Sequence, residues 1–324
     1  VLTTTLFWLV IILVYYFIAT FISIDKIIGK IYPIFGVALI LMALALLGVL
    51  LFGPYRIPEL TTLTNAQLDP HSVPIVPTLF ITIACGAVSG FHATQSPMMA
   101  RCIKNERMGR RVFYGAMITE GIVAMIWAAA AIKYAGGYDE LQQMLTAEGN
   151  SNPALVVNFI CNDWMGGIGA ILAILGVVSA PVTSGDTAFR SARLIVADFM
   201  GVEQRTLRKR IYICIPLFAL GLLIIFGLPF QTMWSYFAWM NQTLAAVTLW
   251  MIVAYLRHRG RAVWVGLIPA LVMTYVCASY IFVSPLMLGM QNRTAAYLLG
   301  GGVTLAVLVA MIFKLKDNDA KGIS

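Results

Sequence analysis

Charge is what this sequence has least of. Only 11% of its 324 residues are Asp, Glu, Lys or Arg, where a soluble domain carries about 25%. With 60% of the chain hydrophobic, too little polar surface remains to clothe a water-exposed shell, so lipid must solvate much of it. A soluble multidomain protein is excluded. Histidine is nearly as scarce: His71, His92 and His258 are the whole supply, which rules out a multi-histidine metal or haem site. The five cysteines (Cys85, Cys102, Cys161, Cys214 and Cys277) form no CxxC pair and no Cys/His cluster, so neither a zinc site nor a disulfide framework is expected. The sequence also lacks a P-loop, an HExxH and a GxSxG. Nothing in it marks an enzyme, a bound cofactor or nucleotide-driven work.

What charge there is has a pattern. The net charge is +8, but the basic residues stand in short clusters between apolar blocks, without the interleaved aromatics of a nucleic-acid face. Nine apolar runs are long enough to cross a bilayer, over roughly 3–23, 31–53, 76–94, 112–135, 164–185, 210–229, 232–256, 262–284 and 294–314. If 24–30, 95–111, 186–210, 257–261 and 314–324 share one side, that side holds all of the 22 basic residues except Arg56, Lys133 and Arg293. The positive-inside rule makes it the cytoplasm, with the C-terminus there and Val1 outside. Residues 95–111 and 186–210 are then the main cytoplasmic connections, and 54–75 and 136–163 are external loops. The second loop is long enough for a short helix and carries Asp139, Glu140, Glu148 and Asp163. Trp164, Trp234 and Trp264 fall at span ends, where interfacial indoles belong. The chain opens Val1-Leu2-Thr3 without a signal peptide, so upstream helices, odd in number, are expected.

Polar groups inside apolar spans cost at least about 2–3 kcal/mol each and need a reason. The third span and its cytoplasmic end carry Cys85, Gly86, Ser89, Gly90, His92, Thr94, Gln95 and Pro97 in close succession. Gly86, Gly90 and Pro97 weaken a helix, and unwound backbone at membrane depth survives only beside a cavity or buried in protein. A solute site built from these residues and a glycine packing face with a satisfied histidine both fit this pattern. The fifth span ends in Pro181, Thr183 and Ser184, with Asp186 and Thr187 just beyond it. Its hydroxyl and carbonyl oxygens suit a sodium ion, while Asp186 and Arg190, spaced i, i+4, suit a plain salt bridge. Glu120 is isolated in the fourth span, as a proton carrier or as an acid locking two helices. Asn241 and Gln242 in the seventh span bind solute or knit helices.

Leu79 through Gln95 (LFITIACGAVSGFHATQ), Ser184 through Asp198 (SGDTAFRSARLIVAD) and Phe237 to Ala245 around Asn241-Gln242 resemble the carbon starvation protein A family, described as peptide or pyruvate transporters. The resemblance covers most of the chain from about residue 76. It implies an N-terminal membrane region, with a His-His and Gly-rich helix, that this sequence does not contain. It also implies an all-α polytopic fold of the LeuT-type (APC-like) inverted-repeat class, with a broken helix of each repeat holding solute at mid-membrane. In that scheme the third span is the first helix of repeat two, and the fifth brings Thr183 and Ser184 to a sodium position.

The expectation is therefore one transmembrane transporter domain over 1–324, in a bacterial inner membrane. It would take up a small carboxylate-bearing solute, peptide or pyruvate, in the response to carbon starvation. Cys85, Gly86, Ser89, Gly90, His92, Thr94, Gln95, Asn241 and Gln242 would bind solute. A coupling proton or sodium ion would use Glu120, Thr183, Ser184 or Asp186. Partners are the solute and the bilayer, not nucleic acid, and a homo-oligomer stays open. The rival is a membrane signalling or scaffold protein whose polar residues only join helices.

Overall fold

Backbone N–H and C=O groups in hydrocarbon find no water, so apolar spans satisfy them internally as helices. In the computed structural model, which describes residues 5–21, 32–54, 57, 65, 73–146 and 153–320, helix is the only regular structure among those residues. In chain order the elements are α1 (Thr5–Ala19), α2 (Tyr32–Phe52), α3 (Ile75–Ala87) and α4 (His92–Cys102). A 3₁₀ turn (Glu106–Met108) and a π turn (Arg110–Tyr114) lead into α5 (Gly115–Ala135). Then come α6 (Tyr138–Thr146), α7 (Pro153–Leu172), a π segment (Ala173–Val178) and α8 (Ser179–Phe199). The last four are α9 (Leu207–Gly227), α10 (Phe230–His258), α11 (Trp264–Val283) and α12 (Arg293–Ala320).

Seven helical stretches among the described residues are long and apolar enough to cross a membrane: Tyr32–Phe52, Glu106–Ala135, Ala154–Phe199, Leu207–Gly227, Thr232–His258, Trp264–Val283 and Arg293–Lys316. Large apolar side chains such as Leu223, Phe226, Leu298 and Leu305 stand exposed along them, which only lipid makes tolerable. The chain is thus an all-α, multi-pass membrane protein, with two of the nine predicted spans missing from this set. The first predicted span survives as a shorter apolar helix, Phe7–Ala19, beside residues outside those described. The third is not one helix but two, because α3 stops at Ala87 and α4 starts at His92.

The fifth predicted span differs in another way. Helix runs from Ala154 to Phe199, interrupted at Gly166, whose φ of 60° and ψ of −147° leave helical geometry. Residues 154–165 thereby separate from the rest of the span, and 154–163 of them belong to the stretch taken for an external loop. Residues 186–199, taken for part of a basic connection, are helical.

The described chain forms two compact units, 1–63 with 98–227 and 64–97 with 228–324. The first has its core where α2, α5 and α7 meet, around Met42, Leu46, Ile126, Val156, Ile160 and Cys161. The short α6 lays Leu141, Met144 and Leu145 against that core, and its first turn holds Asp139 and Glu140, the sign favoured at a helix N-terminus. In the second unit, Ile81 of α3 packs with Val276, Cys277 and Tyr280 of α11. A second cluster joins Trp250 and Val253 of α10 to Ala270 of α11. The Trp250 indole N–H donates to Thr274 Oγ1 at 2.9 Å, which leaves no unmet polar atom in that contact.

Two of the three basic residues that escaped the clustered pattern have structural work. Lys133 is buried, and its Nζ donates to the carbonyls of Leu50 at 2.7 Å and Val49 at 3.3 Å, at the C-terminal end of α2. Arg293 Nη1 donates to Val283 O at 2.7 Å, at the end of α11. A cation at a helix C-terminus satisfies orphan carbonyls and meets the negative end of the dipole. Lys133→Met keeps the apolar stem but strands both carbonyls, so it is expected to lower stability by about 1–3 kcal/mol, read as a fall in the thermal unfolding midpoint. Arg56 lies outside the described residues.

Candidate functional site

The break between α3 and α4 is where the sequence placed it. Residues Val88–Phe91 have no helical assignment, and α4 restarts with short-range bonds: His92 N–H donates to Ser89 O at 3.3 Å, Ala93 N–H to Gly90 O at 2.9 Å and Thr94 N–H to Phe91 O at 3.1 Å. What pins the break is α10. Phe91 N–H donates to Asn241 Oδ1 at 2.7 Å, and the buried Ser89 hydroxyl lies 3.3 Å from both Asn241 Oδ1 and Asn241 Nδ2. The asparagine does for α4 what an N-cap residue does within one chain segment: it takes a donor the helix cannot use.

Gly90 makes that contact sterically feasible. A Cβ there would collide with the Asn241 carbonyl oxygen, with Ala245 N and with Leu244 Cβ, so the absent side chain lets two backbones touch. His92 sets its Nδ1 3.2 Å from Ser89 O, and Thr94 Oγ1 donates to Phe91 O at 2.8 Å. Both side chains, like Gln95, are half-buried. Gln242 is fully buried, and its Oε1 has no hydrogen-bond partner among the described residues. Ser89, Gly90, His92, Thr94 and Asn241 are therefore brought together, with Gln242 adjoining on α10. Gly86 lies in the last turn of α3, and the Cys85 side chain is outside the described residues.

Asn241→Leu keeps the volume and removes the acceptor, leaving Phe91 N–H and the Ser89 hydroxyl buried without it. The expected cost is about 1–3 kcal/mol, with Asn241→Asp closer to wild type because Oδ1 is kept. Thermal unfolding of the two variants side by side checks the order.

The residues proposed to couple an ion lie in the first unit and do not all meet. Asp186 is fully buried. Its Oδ1 faces Arg190 Nη2 at 3.3 Å, and its Oδ2 accepts from Tyr32 O–H at 3.0 Å. Arg190 Nη2 also donates to Ala19 O at 2.6 Å. Tyr32 O–H reaches Thr183 O at 3.4 Å, and Tyr16 O–H donates to Pro181 O at 3.3 Å. Thr187 turns its hydroxyl back onto Ser184 O at 2.9 Å. Thr183 is half-buried, Ser184 exposed and Glu120 half-exposed. The i, i+4 ion pair that the spacing allowed is formed, and Asp186 spends its oxygens on it and on Tyr32.

Sequence reasoning missed Tyr16, Tyr32 and Arg193. The tyrosines carried no signal, since each sits in an apolar run. Arg193 did carry one: Asp186, Arg190, Arg193 and Ala197 follow helical spacing, and all four are buried. Reading 186–210 as a loop hid it.

No solved structure matches the chain. An uncharacterised membrane protein of Haemophilus influenzae is 40% identical over 161 residues, covering 45% of this chain and 43% of that protein. The peptide transporter CstA of Escherichia coli is 26% identical over 289 residues, covering 68% of this chain and 41% of its own length. The pyruvate/proton symporter BtsT of Escherichia coli is 39% identical over 87 residues, 26% of this chain and 12% of the symporter. The chain spans less than half the length of each of these relatives. The two with functional names are transporters, not enzymes. The family model described as carbon starvation protein CstA matches residues 1–164, which takes in the first two predicted spans as well. With that match over half its residues, the chain belongs to the carbon starvation protein CstA family.

Proposed function

We propose that the chain is the larger part of a secondary active transporter that takes up a small carboxylate-bearing solute, a peptide or pyruvate, across a bacterial inner membrane. The observation that carries this is the α3–α4 break: an apolar helix stops at Ala87, helix restarts at His92, and the break is pinned by Asn241 of α10. Unwound backbone of this kind in an apolar setting is the usual frame of a solute site in transporters. The N-terminus of α4 turns its positive dipole end toward the break, the sign a carboxylate needs. The unpartnered Gln242 Oε1 adds an acceptor for an N–H or O–H donor. The names of the relatives, a peptide transporter and a pyruvate/proton symporter, favour the same two solutes.

In this reading all of 1–324 is one transporter domain in a LeuT-type inverted-repeat bundle of about nine spans, with the C-terminus cytoplasmic and a role in carbon starvation. Solute touches Cys85, Gly86, Ser89, Gly90, His92, Thr94, Gln95, Asn241 and Gln242. A proton carried by Glu120 is the coupling that the symporter's name favours, and the Thr183–Ser184–Asp186 region would serve a sodium ion instead. The test is counterflow of labelled pyruvate and of a labelled dipeptide in proteoliposomes of the full-length protein. Exchange above empty liposomes, with net uptake abolished by a protonophore, is expected. A protein that reconstitutes in folded form yet moves neither solute would sink the proposal.

A further inference from the structure

The first unit buries more positive charge than its described residues neutralise, and the surplus sits on one helix face. Asp186, Arg190, Arg193 and Ala197 of α8 lie at i, i+4, i+7 and i+11, which aligns them along one side. The two arginines are each only 5% exposed, and Asp186 is 0% exposed. Among the described residues Asp186 is the carboxylate paired on this face, and its partner is Arg190. Arg190 also has the Ala19 carbonyl.

Arg193 has no such arrangement. Its Nε and Nη1 are buried without a hydrogen-bond partner among the described residues. The charges within its electrostatic reach include two further guanidiniums, Arg190 and Arg210. Arg210 directs its Nε to Gln204 O at 2.7 Å, and the buried Gln204 side-chain amide likewise has both polar atoms unpartnered.

An arginine cannot shed its proton to escape burial, and a desolvated charge without a counter-charge is among the costliest features a fold can carry. Two guanidiniums against one carboxylate leave a charge that one monoanion closes. The Nε–H and Nη1–H donors lie on different edges of the planar guanidinium, and each can donate to an oxygen of a carboxylate or a phosphate. We infer that the Arg193 side of α8, with Arg190 and Arg210 beside it, binds a small oxyanion. The site is built from residues of the first unit. It does not depend on whether the chain transports anything, because occupancy is a binding property.

The oxygens could come from a free anion or from a phospholipid headgroup, and the test separates them. The full chain, purified in detergent and stripped of lipid, is titrated with sodium pyruvate, sodium acetate and sodium phosphate while its unfolding midpoint is followed. Sodium chloride at matched ionic strength is the reference, and phosphatidylglycerol micelles form the lipid arm. At least one oxyanion is expected to raise the midpoint saturably. Arg193→Gln should weaken that binding at least about thirtyfold. Arg193→Lys, which keeps the charge but loses the planar set of donors, should fall between, and Arg101→Gln at an exposed site should change nothing. Response to the free anions identifies a soluble ligand, and response to phosphatidylglycerol alone identifies the headgroup. If Arg193→Gln folds poorly, the lysine variant and the wild-type titrations still decide. A wild type that responds to none of the oxyanions beyond chloride overturns the inference, as does an Arg193→Gln protein that retains the full response.

Discussion

Gly90→Val is expected to reduce solute exchange in proteoliposomes to the level of empty vesicles. The prediction rests on what surrounds the position. A Cβ at Gly90 would overlap the Asn241 carbonyl oxygen and crowd Ala245 N and Leu244 Cβ. The first two are backbone atoms of α10, so no side-chain rotation relieves the clash. Either α10 shifts or the break is pushed away from it, and then Phe91 N–H loses Asn241 Oδ1. Overpacking that only displaces side chains costs about 1–3 kcal/mol, and a clash against backbone stands at or above the top of that range. Gly90→Ala should lie between wild type and valine in both midpoint and rate. Gly36→Ala is the control, since nothing lies within 4 Å of the Cβ it adds. Alanine within a helix is favoured over glycine by roughly 0.5–1 kcal/mol, so that variant should be as stable as wild type or more so. A Gly90→Val protein that exchanges solute at the wild-type rate would remove the break from the mechanism.

The break was legible because its cause is local. Gly86, Gly90 and Pro97 within one apolar run, among hydrogen-bonding side chains, oppose a continuous helix whatever packs around them. Its anchor was not legible. Asn241 lies about 150 residues away, and its role as the acceptor for Phe91 N–H depends on α10 coming to rest against Gly90. From sequence, Asn241 read more readily as a link between helices than as a solute ligand.

The charge pattern was legible in bulk and misleading in detail. Clustered Lys and Arg located the connections, yet Lys133 and Arg293 depart from the clusters because each caps a helix C-terminus. Arg190 and Arg193 counted toward a basic loop although both are buried. A topology rule treats every arginine alike, whereas helical spacing from Asp186 through Ala197 distinguishes the two that turn inward. Likewise, an apolar window finds a span of about 20 residues but does not see that helix continues to Phe199, or that Gly166 divides the helical run preceding it.

Asp186→Ala is expected to be the most destabilising single substitution on α8. The carboxylate is fully buried, bonded to Arg190 at 3.3 Å and to Tyr32 O–H at 3.0 Å. Surface ion pairs contribute little, but deleting one member of a buried pair leaves the other charge desolvated, at about 3–5 kcal/mol. Here the loss is compounded, because Arg193 already lacks a partner among the described residues for two of its nitrogens. Removing Asp186 leaves two buried guanidiniums with no carboxylate between them. Asp186→Asn keeps an acceptor for Arg190 without the charge and should recover only part of the loss. Asp186→Leu combined with Arg190→Met removes both charges and keeps the volume, and it should be clearly more stable than Asp186→Ala. Tyr32→Phe, which takes away one hydrogen bond to the carboxylate, should cost about 1.5–3 kcal/mol. Unfolding midpoints of the five proteins, wild type included, give the order. An Asp186→Ala midpoint level with wild type would mean that the carboxylate is not holding this face together, and the charge balance derived for α8 would fail with it.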